Sequence, residues 1–305
     1  MAPKPLHGVL PIVHTPFDDD ESIDYRALER EIDWAFETGA DGFGTGMVSE
    51  VLRLTFDERV DLGQRLVEFA RGRGAVFLSV GAESIRQAVE CARHAERAGC
   101  DAVMAAPPVT SPLSEPGMLE YFRAIAEAVD VPVVVQDASG YVGQGIPLDV
   151  HLALFERYDA GKILFKPEAP PLGPNLSALR DATGGAARIF EGSGGIFLAD
   201  SFRRGIAGTM PGMDLLDGIV ALWGALQAGD ALRADRLHFP IGALVALQMQ
   251  AGLDGFLAIE KFLLVKRGVF LSARRRTPYR WELDPETATE VERLFEVLQR
   301  ELRAG

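Results

Sequence analysis

Lys166 and Glu168 are the two residues whose types and spacing best suit covalent chemistry. Lys166 follows the apolar run Ile163–Phe165, which has the pattern of a strand buried on both faces. A buried amine costs free energy unless it is partnered or reactive, and burial lowers its pKa toward the neutral form that attacks carbonyl groups. Because side chains alternate along a strand, Glu168 should share a face with Lys166. The pair predicts either Schiff-base chemistry beside an acid–base group or a structural ion pair at a strand end.

Eight short apolar runs alternate with amphipathic segments, and these are the elements that would position the pair. The runs are Gly8–His14, Gly42–Gly46, Val76–Val80, Ala102–Ala106, Val131–Gln136, Ile163–Lys166, Arg188–Glu191 and Gly208–Met210. Eight strands that are each followed by a helix predict an α/β fold of the (β/α)8 TIM-barrel type, for which about 250 residues suffice.

Four helical segments follow the eighth run. They are Leu215–Ala228, Ala231–Gln250, Gly255–Arg267 and Pro285–Leu302. The first would complete the barrel, and no Ser/Gly-rich linker separates it from the others. We therefore predict a barrel over residues 1–228 and a C-terminal helical extension over residues 229–305, packed on the barrel as one folding unit.

A doubly wound parallel sheet is the alternative architecture. It requires a dinucleotide-binding fingerprint after the first strand, and Gly8–Phe17 contains none. The later segment Gly44–Ser49 resembles such a fingerprint but has Ser49 in place of its third glycine. The barrel is therefore the preferred prediction.

Charge and cysteine content limit the partners and the compartment. The formal net charge of −13 in 305 residues argues against nucleic acid or an anionic membrane as a partner, since both bind positive patches. Cys91 and Cys100 form no CxxC motif, and such cysteines are typical of a reducing compartment. The first apolar run is too short for a signal peptide. We expect a cytoplasmic protein.

Metal and serine-nucleophile chemistry fit the strand ends poorly. Of five histidines only His14 stands at a predicted strand end, and no partner with metal-ligand spacing accompanies it. A serine nucleophile elbow is also missing. We expect no metal and no cofactor other than the covalent lysine imine.

The remaining candidate site residues come from the C-terminal ends of the strands, where barrels of this type build their active sites. The candidate substrate-binding residues are Gly46, Met47, Val48, Ser49, Gln136, Gly192, Ser193, Thr209 and Met210. The turns at 46–49 and 192–195 offer backbone N–H groups to a carboxylate, or are simply tight turns that need glycine. Gln136 would bind substrate or satisfy a neighbouring backbone group.

The order of several motifs resembles the dihydrodipicolinate synthase / N-acetylneuraminate lyase family of class I aldolase barrels. The motifs are Thr15-Pro16-Phe17, Gly46 to Glu50 followed by Leu54-Thr55, Lys166 on the sixth strand, the helix Lys261 to Gly268, and Arg276-Thr277-Pro278. The resemblance implies a TIM barrel, a Schiff-base lysine at position 166, and a homo-oligomer, either a homotetramer or a dimer.

Several positions depart from the usual family pattern. The Gly-Thr-Thr-Gly-Glu turn reads Gly46-Met47-Val48-Ser49-Glu50, the Tyr-Asn of strand five reads Gln136-Asp137, and Tyr141 stands where an arginine is usual. The L-2-keto-3-deoxyarabonate dehydratase branch is similar in its motifs Val135 to Ala138, Ser49-Glu50, Phe165 to Glu168, Glu191-Gly192 and Gly208 to Met210.

The likeness to this branch implies a dehydratase of carbohydrate metabolism. Lys166 would form an imine with a 2-keto-3-deoxy sugar acid, and Glu168 would act as acid and base, giving α-ketoglutarate semialdehyde. Ser49 and the backbone of residues 47–49 would hold the carboxylate, while Gln136, Ser193 and Thr209 would meet hydroxyl groups. Retro-aldol cleavage to pyruvate, a dihydrodipicolinate-synthase-like condensation, and a ligand-binding barrel without turnover stay open as alternatives.

Overall fold

Eight parallel strands form a closed ring in this computed structural model, which describes residues 3–159 and 161–304. The strands are β1 (Gly8–Val9), β2 (Gly42–Gly44), β3 (Ala75–Ser79), β4 (Ala102–Ala105), β5 (Val133–Asp137), β6 (Ile163–Pro167), β7 (Phe190–Glu191) and β8 (Gly208–Thr209). Strands β2 to β6 pair in chain order, and β8 pairs with both β7 and β1. Single bridges from Ile12 to Gly44 and from Phe165 to Ile189 join the two sheets. The predicted TIM barrel is confirmed.

Helices follow the strands and then continue beyond the barrel. They are α1 (Tyr25–Thr38), α2 (Phe56–Ala70), α3 (Ile85–Ala98), α4 (Glu115–Ala128), α5 (Leu148–Arg157), α6 (Leu172–Ala182), α7 (Leu198–Arg203), α8 (Leu216–Ala228), α9 (Ala231–Met249), α10 (Gly252–Lys266) and α11 (Pro285–Arg303). Helix α9 packs against α8, α10 and α11. The division at residue 228 coincides with the end of α8 and stays a prediction.

The first strand pairs over a shorter length than the run Gly8–His14 predicts. Continuous pairing covers only Gly8–Val9. Pro11 and Pro211 have no N–H group, so the ladder is interrupted where β1 and β8 meet. Beyond that interruption Ile12 N donates to Pro211 O at 2.7 Å. The segment therefore stays extended and carries its later residues to the mouth of the barrel.

An apolar layer fills the barrel beneath the mouth. Its buried members are Leu6, Leu10, Ile12, Ala75, Phe77, Ala102, Met104, Val134, Leu164, Phe190 and Met210. Leu164 belongs to this interior layer, whereas Phe165 packs outward in the larger core beneath the helices. Because side chains alternate along β6, Lys166 continues the inward face that Leu164 begins.

Helix α10 is tied to the mouth of the barrel by a buried lysine. Lys261 Nζ donates to Glu50 Oε1 at 2.5 Å, to Thr15 O at 2.7 Å and to Arg274 O at 2.8 Å. Both Lys261 and Glu50 are buried. Glu50 also accepts from Arg276 N at 2.9 Å. These bonds fix the extension against the turns that follow β1 and β2.

Within residues 3–159 and 161–304, every helix is too short or too polar to cross a bilayer.

Replacing Lys261 with methionine should destabilise the protein strongly. The change removes the nearer of the two cations beside the buried Glu50 carboxylate and leaves only Arg53 Nη1, which lies 3.3 Å from Oε2. Breaking a buried ion pair in this way costs about 3–5 kcal/mol. Lys266→Met is the matched control, because Lys266 lies on the same helix and pairs with Glu292 on the surface, where a pair contributes about 0–1 kcal/mol. Urea unfolding of both variants gives the comparison. Equal losses would show that Lys261 does not anchor the extension.

Candidate active site

Lys166 lies at the end of β6 with its amine inside the barrel mouth. Its side chain is buried, and Nζ lies 3.3 Å from Glu168 Oε1. The prediction that the two side chains share a face is therefore confirmed. Gly192 leaves the space that they need, because a Cβ at that position would lie 2.2 Å from Glu168 Oε1 and 2.7 Å from Lys166 Cε.

Glu168 is surrounded by hydrogen-bond donors. Gln136 Nε2 donates to its Oε2 at 2.7 Å, Ser193 N donates to its Oε1 at 3.0 Å, and the Tyr141 hydroxyl donates to Oε1 as well. An ionised carboxylate accepts hydrogen bonds and donates none, so this shell suits a negatively charged Glu168. Gln136 and Ser193 thus contact the Lys166–Glu168 pair by hydrogen bonds to Glu168.

Tyr141 is a site residue that the sequence did not identify. It follows β5 in a loop, and its ring packs edge-on against Phe256 with centroids 5.8 Å apart. Burial and the neighbouring charge of Glu168 raise the Tyr141 pKa well above its usual value, so the phenol keeps its proton and donates a hydrogen bond to Glu168. Its position a few residues beyond the end of β5 could have marked it as a candidate site residue, because barrels of this type build their active sites there.

Glu191 is a second carboxyl group beside the pair. Thr209 Oγ1 donates to Glu191 Oε2 at 2.6 Å, and Oε1 has no hydrogen-bond partner among the described residues. Burial, reinforced by the charge of Glu168, raises the Glu191 pKa to about 8. At neutral pH this carboxyl group is therefore mostly protonated.

The small cavity above Lys166 brings together seven of the eleven predicted site residues. They are Met47, Val48, Gln136, Lys166, Glu168, Ser193 and Met210. Glu260 of helix α10 and Tyr141 line it too. The other four predicted residues, Gly46, Ser49, Gly192 and Thr209, do not form its lining.

Ser49 and Thr209 both use their hydroxyl groups within the protein. The Ser49 hydroxyl donates to Val13 O at 2.5 Å and accepts from Gly46 N at 3.1 Å, so it shapes the 3₁₀ turn Met47–Ser49. The Thr209 hydroxyl donates to Glu191 Oε2 at 2.6 Å. Contact of either side chain with a substrate stays a prediction.

The volume of the cavity restricts what can bind without movement. It measures about 30 Å³, which holds only a few water molecules. A larger cavity of about 310 Å³ lies on the other side of Tyr141, Glu168 and Ser193, with Phe197 and Met249 on its apolar wall. A ligand larger than a few water molecules therefore has to displace the dividing side chains or extend into the larger cavity.

Glu191→Gln should stabilise the protein, and more so as the pH rises. The folded protein holds the Glu191 proton up to about pH 8, whereas the unfolded chain releases it near pH 4.3. Unfolding thus releases a proton between these pH values, and stability is lost as pH rises through them. Glutamine removes this penalty, roughly 4 kcal/mol at pH 7.

Urea unfolding of wild type and Glu191→Gln at pH 5 and pH 8 measures the effect. The free-energy difference between the two proteins should widen toward pH 8. An equal difference at both pH values would mean that Glu191 is already ionised in the folded protein.

Comparisons with known proteins relate this chain to one family of enzymes. The model of the dihydrodipicolinate synthetase family matches residues 5–160. The 4-hydroxy-tetrahydrodipicolinate synthase of Methylibium petroleiphilum is 36% identical over 138 residues, which cover 45% of this chain and 47% of that protein. The enzyme of the same name from Laribacter hongkongensis is 32% identical over 187 residues, covering 61% and 59%. The chain thus matches about half to three-fifths of the length of these curated relatives.

A solved structure extends the likeness over the whole barrel. Dihydrodipicolinate synthase from Rhodopseudomonas palustris superimposes with a TM-score of 0.87 at 27% identity, covering 98% of this chain and 100% of the other. The resemblance inferred from the motifs is confirmed at the level of the family. With the family model matched over half of its length, the chain belongs to the dihydrodipicolinate synthetase family.

Proposed function

We propose that this protein is a Schiff-base-forming lyase that removes water from a 2-keto-3-deoxy sugar acid. The proposal rests on the Lys166 amine, which is buried in the barrel mouth with Glu168 Oε1 at 3.3 Å. The imine on Lys166 is the only covalent group that the reaction needs, and no further cofactor is part of the proposal. By analogy with the family, we also propose a dimer or tetramer.

The first step is attack of Lys166 on the C2 ketone, with loss of one water to give a protonated imine. Hydrogen-bond donors for the adjacent carboxylate are available in the turn after β2. The N–H groups of Met47 and Val48 have no acceptor among the described residues, whereas Ser49 N donates to Gly46 O. We assign the substrate carboxylate to the first two N–H groups, both on residues of the cavity wall.

The second step uses Glu168 as a base. The protonated imine withdraws electrons from C3, and Glu168 removes a C3 proton to give the enamine. Tyr141 keeps its own proton and hydrogen-bonds to Glu168, which stabilises the carboxylate before the transfer. Expulsion of the C4 hydroxyl as water then leaves an unsaturated imine, and a proton shift followed by hydrolysis gives α-ketoglutarate semialdehyde.

Condensation of two substrates is a second candidate, which the names of the relatives favour. Both curated relatives described above are called 4-hydroxy-tetrahydrodipicolinate synthase. The enamine formed on Lys166 would then attack an aldehyde instead of losing a hydroxyl. The replacement of both threonines by Met47 and Val48 and of the strand-five tyrosine by Gln136 supports dehydration over condensation.

Sodium borohydride should trap an adduct on Lys166 when the protein is incubated with pyruvate or hydroxypyruvate. Reduction fixes the imine, and peptide mass spectrometry locates it. Lys162 serves as an internal control, because its amine is bound to Val129 O and Val131 O outside the cavity, and it should stay unmodified. Absence of an adduct on Lys166 with several keto acids would remove the basis of the proposal.

A panel of 2-keto-3-deoxy acids should yield dehydrated products, identified by NMR and mass spectrometry. Glu168→Gln should lower the rate by about 10²- to 10⁴-fold, the usual contribution of a general base, while Lys166 can still be trapped. Pyruvate as the main product would favour retro-aldol cleavage. Turnover of pyruvate together with aspartate semialdehyde, without dehydration, would favour the condensing enzyme.

A further inference from the structure

Glu260 of helix α10 lies on the wall of the cavity that Lys166 and Glu168 also line. In the described part of the chain its hydrogen-bond partner is His14, whose Nε2 lies 2.7 Å from Glu260 Oε2. The other oxygen, Oε1, lies beside Gly212, which belongs to the same cavity wall, because a Cβ on Gly212 would be 2.5 Å from it. One carboxylate oxygen is thus anchored, and the second lies at the wall without a donor from the described residues.

The carboxyl group of Glu260 is ionised. His14 has Nε2 beside Glu260 and Nδ1 at 3.3 Å from Glu31 Oε1, so an imidazolium that donates to both carboxyl groups fits this position. Burial alone would lower the His14 pKa, but Glu260 and Glu31 outweigh it and raise the pKa to about 10. Burial and the charge of Glu260 also raise the pKa of Asp214 to about 7. Glu260 Oε1 can therefore accept a hydrogen bond but has no proton to donate.

Glu168, the other carboxylate on the cavity wall, already has donors for both oxygens. Its Oε1 accepts from the Tyr141 hydroxyl and from Ser193 N, and its Oε2 accepts from Gln136 Nε2. Much of the remaining wall is apolar and consists of Ile12, Met47, Val48, Met210, Pro211, Leu253 and Phe256. A hydrogen bond to a charged acceptor is stronger in such surroundings than in water. Glu260 Oε1 is therefore suited to a ligand group that donates a hydrogen bond.

Charge and chemistry identify this donor as a hydroxyl group at the far end of the substrate. The substrate carboxylate is negative and would be repelled by Glu260, which agrees with its assignment to the N–H groups of Met47 and Val48. The C4 hydroxyl has to gain a proton as it leaves, and an ionised carboxylate has none to give. The C5 hydroxyl is a neutral donor, and its oxygen stays with the carbon chain.

We propose that Glu260, held by His14, is a specificity-determining residue that accepts a hydrogen bond from the C5 hydroxyl of a five-carbon 2-keto-3-deoxy acid. This inference rests on the function proposed above, because the imine on Lys166 holds the other end of the substrate. In this role Glu260 binds the substrate and transfers no proton. A ligand that lacks the hydroxyl would leave a charged acceptor unpaired, which costs free energy, and should therefore bind less tightly.

Two keto acids that differ in one hydroxyl group test the contact. 5-Hydroxy-2-oxopentanoate carries the C5 hydroxyl and 2-oxopentanoate lacks it, and neither has a C4 hydroxyl to lose as water. The concentration at which borohydride traps half of Lys166 reports how tightly each acid binds. We expect the wild-type protein to prefer the hydroxylated acid. Glu260→Gln should lower this preference about tenfold, the difference between a hydrogen bond to a charged and to a neutral acceptor, and should bind 2-oxopentanoate no less tightly.

Two further variants serve as control and substitute. Glu292→Gln changes a carboxyl group that pairs with Lys266 on the surface, and it should leave the preference unchanged. If Glu260→Gln fails to fold, Glu260→Asp keeps the negative charge for His14 but shortens the side chain by one methylene group. It should also lower the preference for the hydroxylated acid.

A wild-type protein without this preference overturns the contact. So does an unchanged preference in the Glu260 variants, or an equal weakening of both acids, which is the result that a purely structural role would give. Since neither probe can be dehydrated at C4, these outcomes do not depend on the dehydration step. Absence of any adduct on Lys166, or of dehydrated products from the panel described above, would overturn the proposed function instead.

Discussion

Burial of the Lys166 amine is the constraint on which the arrangement of the site depends. Removing a cation from water costs several kcal/mol unless other groups compensate. Below the amine the barrel interior is apolar, so compensation has to come from the strand ends. Glu168 supplies it at 3.3 Å. That carboxylate then needs donors of its own, which Gln136, Ser193 and Tyr141 provide.

The two buried lysines differ in how completely their amines are hydrogen-bonded, and this difference supports the choice of Lys166 as the proposed nucleophile. Lys261 is equally buried, but its amine is saturated by Glu50, Thr15 O and Arg274 O. Each of its three N–H bonds has an acceptor, so it has no lone pair to offer a substrate. Within residues 3–159 and 161–304, the acceptor near Lys166 Nζ is Glu168 Oε1. An amine that has fewer hydrogen-bond acceptors and stands beside a cavity is better placed to meet a ketone than one whose N–H bonds are all engaged.

The parts of the site that local sequence rules govern were predictable, and the parts that depend on distant packing were not. Alternation along β6 was enough to place Lys166 and Glu168 together. Tyr141 enters from a loop, whose path no periodic pattern describes. Glu260 lies 94 positions after Lys166, and its place in the cavity depends on how α10 packs on the barrel. The hydrogen bonds of Ser49 within its own turn were not predicted either, although a hydroxyl in a tight turn can satisfy the turn itself.

The same distinction holds for the fold. Eight apolar runs were sufficient to predict the barrel, because a run of buried residues between helices has few other solutions. The length of the β1 ladder was not predicted, since Pro11 and Pro211 interrupt it only where they meet across two strands. Whether a segment forms a strand follows from its own residues, whereas the length over which two strands pair depends on the residues of both.

Three buried carboxyl groups, two on the cavity wall and one beside the Lys166–Glu168 pair, have different environments. Glu168 is surrounded by donors, Glu191 is buried with one oxygen unpartnered, and Glu260 faces an imidazolium. Groups of one chemical type do different tasks only when their surroundings separate their proton affinities. Helix α10 contributes Glu260 to the wall of the cavity that Lys166 and Glu168 also line. The C-terminal extension therefore forms part of the cavity as well as packing on the barrel.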